Sequence, residues 1–174
     1  MRIIKGIIFN SVEQVKEIRS KALLLGDLDA MNEYMNQVAL CSFSSFDVAG
    51  GVSGKDDPER FYHGFVLGLM VDLSDRYHIA SNRESGFGRY DVILKPLDVA
   101  KDAIVMEFKV HKPKREASLE ETIQAALKQI QNKKYDRELL SEGFQKGQIR
   151  HYGFAFHGKE VLIGEELNGN PEKS

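Results

Sequence analysis

The chain has 174 residues, 42% hydrophobic and 29% charged, which is enough to bury one core and fits a single domain with an appendage. Its formal charge of -2 excludes a globally basic protein, so any surface for a polyanion must be local. Cys41 is the single cysteine, which excludes an internal disulfide, and no apolar run reaches the roughly 18 residues of a membrane span. We therefore expect a cytoplasmic protein without membrane contact.

Residues 1–50 are predicted to form a helical segment ahead of the main domain. Apolar residues recur at helical spacing from Val12 to Leu25, and Gly26 ends the run. A second helix is predicted to begin near Asp27 and to fade at the serine-rich stretch after Cys41. The glycine-rich stretch that follows, 47–57, marks a boundary, and we divide the chain into a segment 1–50 and a domain 51–174.

The domain is predicted to begin with a buried helix. Asp57, Pro58 and Glu59 supply an N-cap, a proline at the first helical position and an acid in the first turn. The helix should run to about Asp75. Its apolar stripe is predicted to consist of Phe61, Phe65, Leu69 and Leu73, widened by Val66 and Met70.

Strands follow this helix. Three short apolar runs at 77–82, 90–95 and 103–110 are separated by turn-forming residues. A capping box at Ser118 and Glu121 begins a helix that should end near 134, and a further strand is predicted at 149–156, with another possible at 159–163. The tail from Gly164 is polar and is expected to be frayed. This order predicts an α/β sandwich with a mixed central sheet.

Three charged residues interrupt the apolar strands. Asp91 opens the second strand of the domain, while Glu107 and Lys109 lie in the third and share one face of it. Burying unpaired charges costs several kcal/mol, so we expect these groups to converge on a ligand. Two carboxylates with the backbone carbonyl of Phe108 make an oxygen-only shell suited to Mg²⁺ or Mn²⁺, and Lys109 would orient an attacking water.

Simpler interpretations remain open for several of these positions. Asp91 alone is equally typical of a strand-end acid that caps a turn. His63 shares a helix face with Glu59, so it either reaches the site or is a hydrogen-bonded interior histidine. Gln129 would by default be solvated surface. The basic run indicates either a surface for a nucleic-acid backbone or a solvated face, and its members include Lys112, Lys114 and Arg115.

At these positions the chain resembles a known family. Asp91 followed by Glu107-Phe-Lys109 is similar to motifs II and III of the PD-(D/E)XK nuclease superfamily. More narrowly, the chain from about Leu23 resembles the nuclease domain at the C-terminus of bacterial AAA-ATPase-like proteins. That likeness rests on Glu59-Arg-Phe-Tyr62-His63, on Glu84-Ser-Gly-Phe-Gly-Arg89-Tyr-Asp91, and on Gln129-Ile with Tyr135.

The resemblance implies a three-layer, restriction-endonuclease-like core with the order helix, three strands, helix, strand. It implies a catalytic set of Asp91, Glu107 and Lys109, with Glu59 completing the metal shell. Roles at the substrate or in support of these residues fall to His63, Glu84, Arg89, Gln129 and Tyr135. The glycine-rich stretch does not match the phosphate loop of such an ATPase, because the motif would need glycine at Ala49 and serine or threonine at Asp56.

We therefore predict a Mg²⁺- or Mn²⁺-dependent nuclease that acts on nucleic acid, with DNA as the expected substrate. The alternative is a catalytically inactive module of the same fold that binds nucleic acid or regulates an AAA-type ATPase. A homodimer formed through the N-terminal helices is a third possibility, indicated by their leucine- and methionine-rich faces.

Overall fold

The computed structural model of the protein describes residues 3–4, 7–8, 20–43, 58–83, 90–133 and 136–167. The predicted boundary near residue 50 lies outside these ranges, so the division into two parts stays a prediction. Within the ranges, no helix combines the length and the apolar character needed to cross a membrane.

A five-stranded mixed sheet forms the centre of the fold. Its order is β3-β4-β5-β6-β7, and β5 and β6 are parallel while the other neighbours are antiparallel. A separate two-stranded ribbon, β1 with β2, precedes it and was not predicted. The strands are β1 (Ile3–Ile4), β2 (Ile7–Ile8), β3 (Tyr77–Arg83), β4 (Tyr90–Pro96), β5 (Ala103–Val110), β6 (Ile149–His157) and β7 (Glu160–Leu167).

Helices cover both faces of this sheet. Residues 20–25 are also helical, and short 3₁₀ turns lie at Val71–Leu73 and Lys146–Gln148. One face packs against α1 and α2, and the other against α3 and α4. This confirms the predicted three-layer α/β architecture, which is consistent with a restriction-endonuclease-like fold. The helices are α1 (Leu28–Ser42), α2 (Pro58–Met70), α3 (Leu119–Lys133) and α4 (Asp136–Ser141).

The buried face of α2 differs from the predicted stripe. Tyr62, Val66 and Met70 are buried in the core, whereas Phe61 and Phe65 are only partly buried. The reason lies in α1, whose C-cap residue packs edge-on between these two phenylalanines: the Phe43 ring lies 5.1 Å and 4.8 Å from theirs. The predicted stripe therefore faces α1 more than the sheet.

The prediction of a frayed tail from Gly164 is wrong as far as Leu167. Strand β7 continues to Leu167, and Gly164 pairs with Gly153 of β6. A Cβ at Gly164 would lie 2.7 Å from Cγ2 of Ile123, and one at Gly153 would lie 3.1 Å from the Ile123 carbonyl oxygen. These glycines therefore let α3 pack closely on the sheet, which is a packing role that composition could not reveal.

Helix α1 covers the outer edge of β7 with two asparagine side chains. Asn32 donates to the carbonyl of Ile163 at 3.0 Å and accepts from its N–H at 2.7 Å. Asn36 does the same with Val161, at 2.6 Å and 2.9 Å. The two amides thus satisfy alternate backbone groups of an edge strand, as a neighbouring strand would.

Candidate active site

Strand β5 presents its charged residues to the helical layer formed by α3 and α4. Ala103 and Val105 pack in the core on that side, and Glu107 and Lys109 continue the same alternation. Helix α3 is amphipathic, with Ile123, Ala126, Leu127 and Ile130 buried. Gln129, only half-buried beside that apolar stripe, meets the charged end of β5.

Gln129 connects the two charged residues of β5. Its Nε2 donates to Oε1 of Glu107, and its Oε1 accepts from Nζ of Lys109 at 2.7 Å. The Lys109 ammonium also lies 3.7 Å from Oε1 of Glu107. The two charges dictate the orientation of the amide, because its nitrogen must face the carboxylate and its oxygen the ammonium. Glu107 is only 2% exposed, and the nearby ammonium offsets part of the cost of burying its charge.

Strand β4 places Asp91, the third charged residue of the predicted site, next to Glu107 in the sheet. Asp91 pairs directly with Glu107 across the antiparallel β4–β5 pair. Residues directly opposite each other in such a pair have Cβ atoms about 5 Å apart on one face of the sheet. The side chain of Asp91 lies outside what the structure describes, so this placement concerns its backbone position.

Helix α2 places Glu59 at the end of β5. Its Oε1 accepts from the N–H of Val110 at 3.5 Å. One turn of the helix away, Tyr62 anchors α2 in two ways. Its ring stacks on that of Phe156 with 4.2 Å between the ring centroids, and its hydroxyl donates to the carbonyl oxygen of Gly158 at 2.9 Å. Burial raises the pKa of Tyr62 to about 12, so its hydroxyl remains a donor at physiological pH.

His63 lies in the core layer beneath α2. It is buried, its Nε2 lies 3.0 Å from Oγ of Ser81, and its ring meets Phe108 edge-on at 5.8 Å. Phe108 points to the opposite face of β5 from Glu107. The structure therefore places His63 behind the strand that carries the charged residues, as an interior histidine with a hydrogen-bonded ring nitrogen.

The oxygen donors at this end of the sheet fit a hard divalent cation. Glu107 and Glu59 approach β5 from opposite layers, and carboxylate and carbonyl oxygens are the ligands that Mg²⁺ and Mn²⁺ prefer. Among the described side chains, no three acidic, histidine or cysteine groups gather as a metal site. The predicted set of metal ligands therefore depends on Asp91, whose side chain is not among those that the structure describes.

Exposed basic residues follow β5 directly. We call Lys112, Lys114 and Arg115 the basic loop, and all three are exposed. Oε2 of Glu116 closes the loop by accepting from the Lys112 N–H at 2.9 Å and from the Thr122 hydroxyl at 2.8 Å. Burial alone would raise the pKa of Glu116, but these two hydrogen bonds lower it below its usual range. The loop is thus attached to α3 and presents its cations outward.

Three predicted site residues, Glu84, Arg89 and Tyr135, lie outside the described residues. A further polar pair, which was not predicted, lies on the α3–α4 side of the sheet. His151 of β6 is 1% exposed, and its Nε2 lies 2.7 Å from Oδ1 of Asp136, the first residue of α4. His151 is a polar residue inside an apolar strand, as Glu107 is. The same reasoning from the sequence would have made His151 a candidate site residue.

Comparison with known proteins gives one match. Residues 57–166 match the family model of the PD-(D/E)XK nuclease superfamily, and the matched range contains Glu59, Asp91, Glu107, Lys109 and Gln129. No curated protein and no solved structure matches the chain. The matched range spans all five strands of the central sheet up to the last residues of β7. By its matched residues and its mixed sheet between two helical layers, the chain belongs to the PD-(D/E)XK nuclease superfamily.

Proposed function

We propose that this protein is a metal-dependent nuclease that hydrolyses phosphodiester bonds, with DNA as its expected substrate. The observation that carries the proposal is the contact of Gln129 on α3 with Glu107 and Lys109 on β5. Asp91 lies directly opposite Glu107 in the β4–β5 ladder. Family membership supports the reaction class, since members of the superfamily are nucleases that generally use divalent metal ions.

The residues proposed to hold the cation are Asp91, Glu107 and the backbone carbonyl of Phe108, with Glu59 completing the set. A bound Mg²⁺ or Mn²⁺ would supply positive charge to the scissile phosphate and acidity to a coordinated water. The buried position of Glu107 excludes solvent from one side of this set, which strengthens electrostatic interactions there.

Lys109 is proposed to act on the attacking water and on the phosphate. An ammonium has three N–H donors, and one of them is directed to Gln129. The others are available to orient a water molecule and to offset negative charge that develops on the phosphate oxygens. Gln129 would hold the ammonium in place, because its second contact, with Glu107, fixes the amide plane.

Cleavage of nucleic acid by wild type and Glu107→Gln tests this proposal. We expect the wild type to cut single- or double-stranded DNA when Mg²⁺ or Mn²⁺ is added, and Glu107→Gln to lose at least about 10²-fold in rate. Glu120→Gln, an exposed acid on α3, is the matched control and should cleave like wild type. Equal rates for wild type and Glu107→Gln would show that the activity comes from elsewhere.

The basic loop is proposed to bind the phosphate backbone beside the site. Replacing Lys112, Lys114 and Arg115 together by alanine should weaken DNA binding at low salt and reduce the slope of log K against log salt by about 2 to 3. Fluorescence anisotropy over a salt series measures this slope. The control triple variant changes Lys101, Arg137 and Lys146, which are also exposed. A slope reduced equally by both variants would argue against a localised surface.

The exposed basic loop also favours a second candidate, a nuclease-fold module that binds nucleic acid without cutting it. DNA binding by the wild type without turnover in either metal would select this function. A regulatory association with an AAA-type ATPase and a homodimer formed through residues 1–50 remain further proposals. Light scattering of the chain with and without these residues tests the dimer.

A further inference from the structure

Helix α4 contacts β6 and β4 through side chains at its two ends. At its start, Oδ1 of Asp136 lies 2.7 Å from Nε2 of His151 on β6. Farther along, Glu138 accepts from Nζ of Lys95 on β4 at 2.6 Å, and so does Glu142 just beyond the helix, at 2.7 Å. Between these anchors Leu139 is fully buried, in the same core cluster as Val105 of β5. The helix is therefore attached to both neighbours of the strand that carries Glu107 and Lys109.

The His151–Asp136 contact is expected to stabilise the core less than apolar side chains at the same positions would. His151 is 1% exposed and lies among apolar residues such as Ile149 and Ala155, where a leucine would avoid the desolvation of an imidazole. Buried polar pairs contribute little net stability compared with apolar packing, but they require one geometry. The pair thus determines where α4 begins against β6.

The His151–Asp136 pair is connected to the candidate site in two ways, through the β5–β6 ladder and through helix α3. In the β5–β6 ladder, Val105 pairs with His151 and Glu107 pairs with Gly153, so His151 lies two positions from Glu107 along the sheet. Helix α3, which carries Gln129, ends immediately before α4 begins. The N-terminal half of α3 packs closely on Gly153 and Gly164, so its position there is restricted by contact. The C-terminal half packs in the core through Leu127 and Ile130, and Gln131 donates to the carboxylate of Glu166 on β7 at 2.7 Å. Helix α4 is a further attachment to the sheet beyond Lys133.

We propose that His151 and Asp136 are positioning residues for the Glu107–Gln129–Lys109 contact. By fixing the start of α4 on β6, they add to the packing of Leu127 and Ile130 in holding the C-terminal half of α3 where the Gln129 amide contacts both charged groups. The catalytic consequence rests on the proposed nuclease function, whereas the effect on Gln129 does not. A residue that merely filled the core would act on stability and leave the Gln129 amide unchanged.

The test compares Asp136→Ala with Asp136→Asn. Asparagine retains the Oδ1 acceptor for the His151 N–H, whereas alanine removes it. The primary measurement is the side-chain amide signal of Gln129 in a ¹⁵N–¹H correlation spectrum, assigned through Gln129→Glu. We expect this signal to shift in Asp136→Ala and to stay near its wild-type position in Asp136→Asn. Leu140→Ala, a change at an exposed residue of the same helix, should also leave it in place.

Kinetics give the second measurement. In Asp136→Ala we expect kcat to fall about 10- to 100-fold at unchanged KM, with recovery in Asp136→Asn. A Gln129 signal that stays in place in Asp136→Ala, or that moves equally in Asp136→Asn, would overturn the positioning role. If the wild type cleaves no nucleic acid, the nuclease proposal fails. The spectrum of Gln129 still tests the positioning role of His151 and Asp136. Because Asp136 is partly exposed, both variants are expected to fold, and thermal melting checks this.

Discussion

Replacing Lys109 by methionine is expected to lower the rate of DNA cleavage by about 10²- to 10⁴-fold. Methionine keeps much of the side-chain length and removes the charge, so the attacking water and the phosphate lose the only ammonium that the described residues place beside Glu107. Because transition-state charge is affected more than ground-state binding, kcat should fall with little change in KM. Steady-state cleavage of a labelled oligonucleotide in Mg²⁺ measures both constants.

The matched control is Lys128→Met, at an exposed position beside Gln129 on α3. It removes the same charge from the helix that packs against Lys109, and it should reduce kcat less than about twofold, because no contact with Glu107 is seen among the described residues. Lys109→Met also leaves Glu107 buried without its neighbouring cation, so we expect a lower melting temperature. Rates are therefore compared below the melting range. Similar losses of kcat in the two variants would contradict a specific role for Lys109.

The double change Asn32→Leu with Asn36→Leu is expected to destabilise the protein by about 4 kcal/mol, roughly 2 kcal/mol for each residue. Each leucine removes two hydrogen bonds to the backbone of β7 and covers a carbonyl and an N–H with an apolar side chain. Since these groups lie on the outer edge of β7, no other strand of the described sheet is available to pair with them. Urea unfolding followed by circular dichroism measures the change in free energy.

Gln37→Leu provides the comparison for this prediction. It makes the corresponding amide-to-leucine change on the same helix and should alter the free energy of unfolding by no more than about 0.5 kcal/mol. The single variants Asn32→Leu and Asn36→Leu should each give about half of the double effect. If the double variant were as stable as Gln37→Leu, the side chains of α1 would not be the means by which the edge of β7 is held.

Local sequence signals were sufficient for most of the secondary structure. Strand β5 was predicted with the bounds that the structure shows, because a continuous apolar run between turn residues has few other interpretations. The capping signal Asp57-Pro58-Glu59 predicted the start of α2, and the helix begins at Pro58. In contrast, α4 was missed, because its six residues are too few to display a helical period. The end of β7 was missed because its glycine and glutamates resemble a polar tail.

The candidate site was only partly accessible from sequence. Glu107 and Lys109 were conspicuous because charges are rare inside apolar strands, and Gln129 was included on the strength of family resemblance. The same criterion marks His151 as a buried polar residue that needs a partner, whereas the identity of that partner, Asp136, depends on the tertiary structure. The basic loop could be recognised as a cluster of cations, but its attachment through Glu116 to Thr122 could not, since that depends on how α3 begins.

By itself, the sequence determined the order of elements, the alternation that puts Glu107 and Lys109 on one face of β5, and the likeness to a nuclease superfamily. These properties depend on neighbours close in the chain, where period, capping and turn chemistry act. Only the tertiary structure decided that Gln129 joins Glu107 to Lys109, that Asn36 supports Val161 across 125 positions, and that α4 is attached on both sides of β5. Such contacts are set by how closely helices pack on the sheet. That depth depends on residues such as Gly153 and Gly164, whose role appears only once their neighbours are in place.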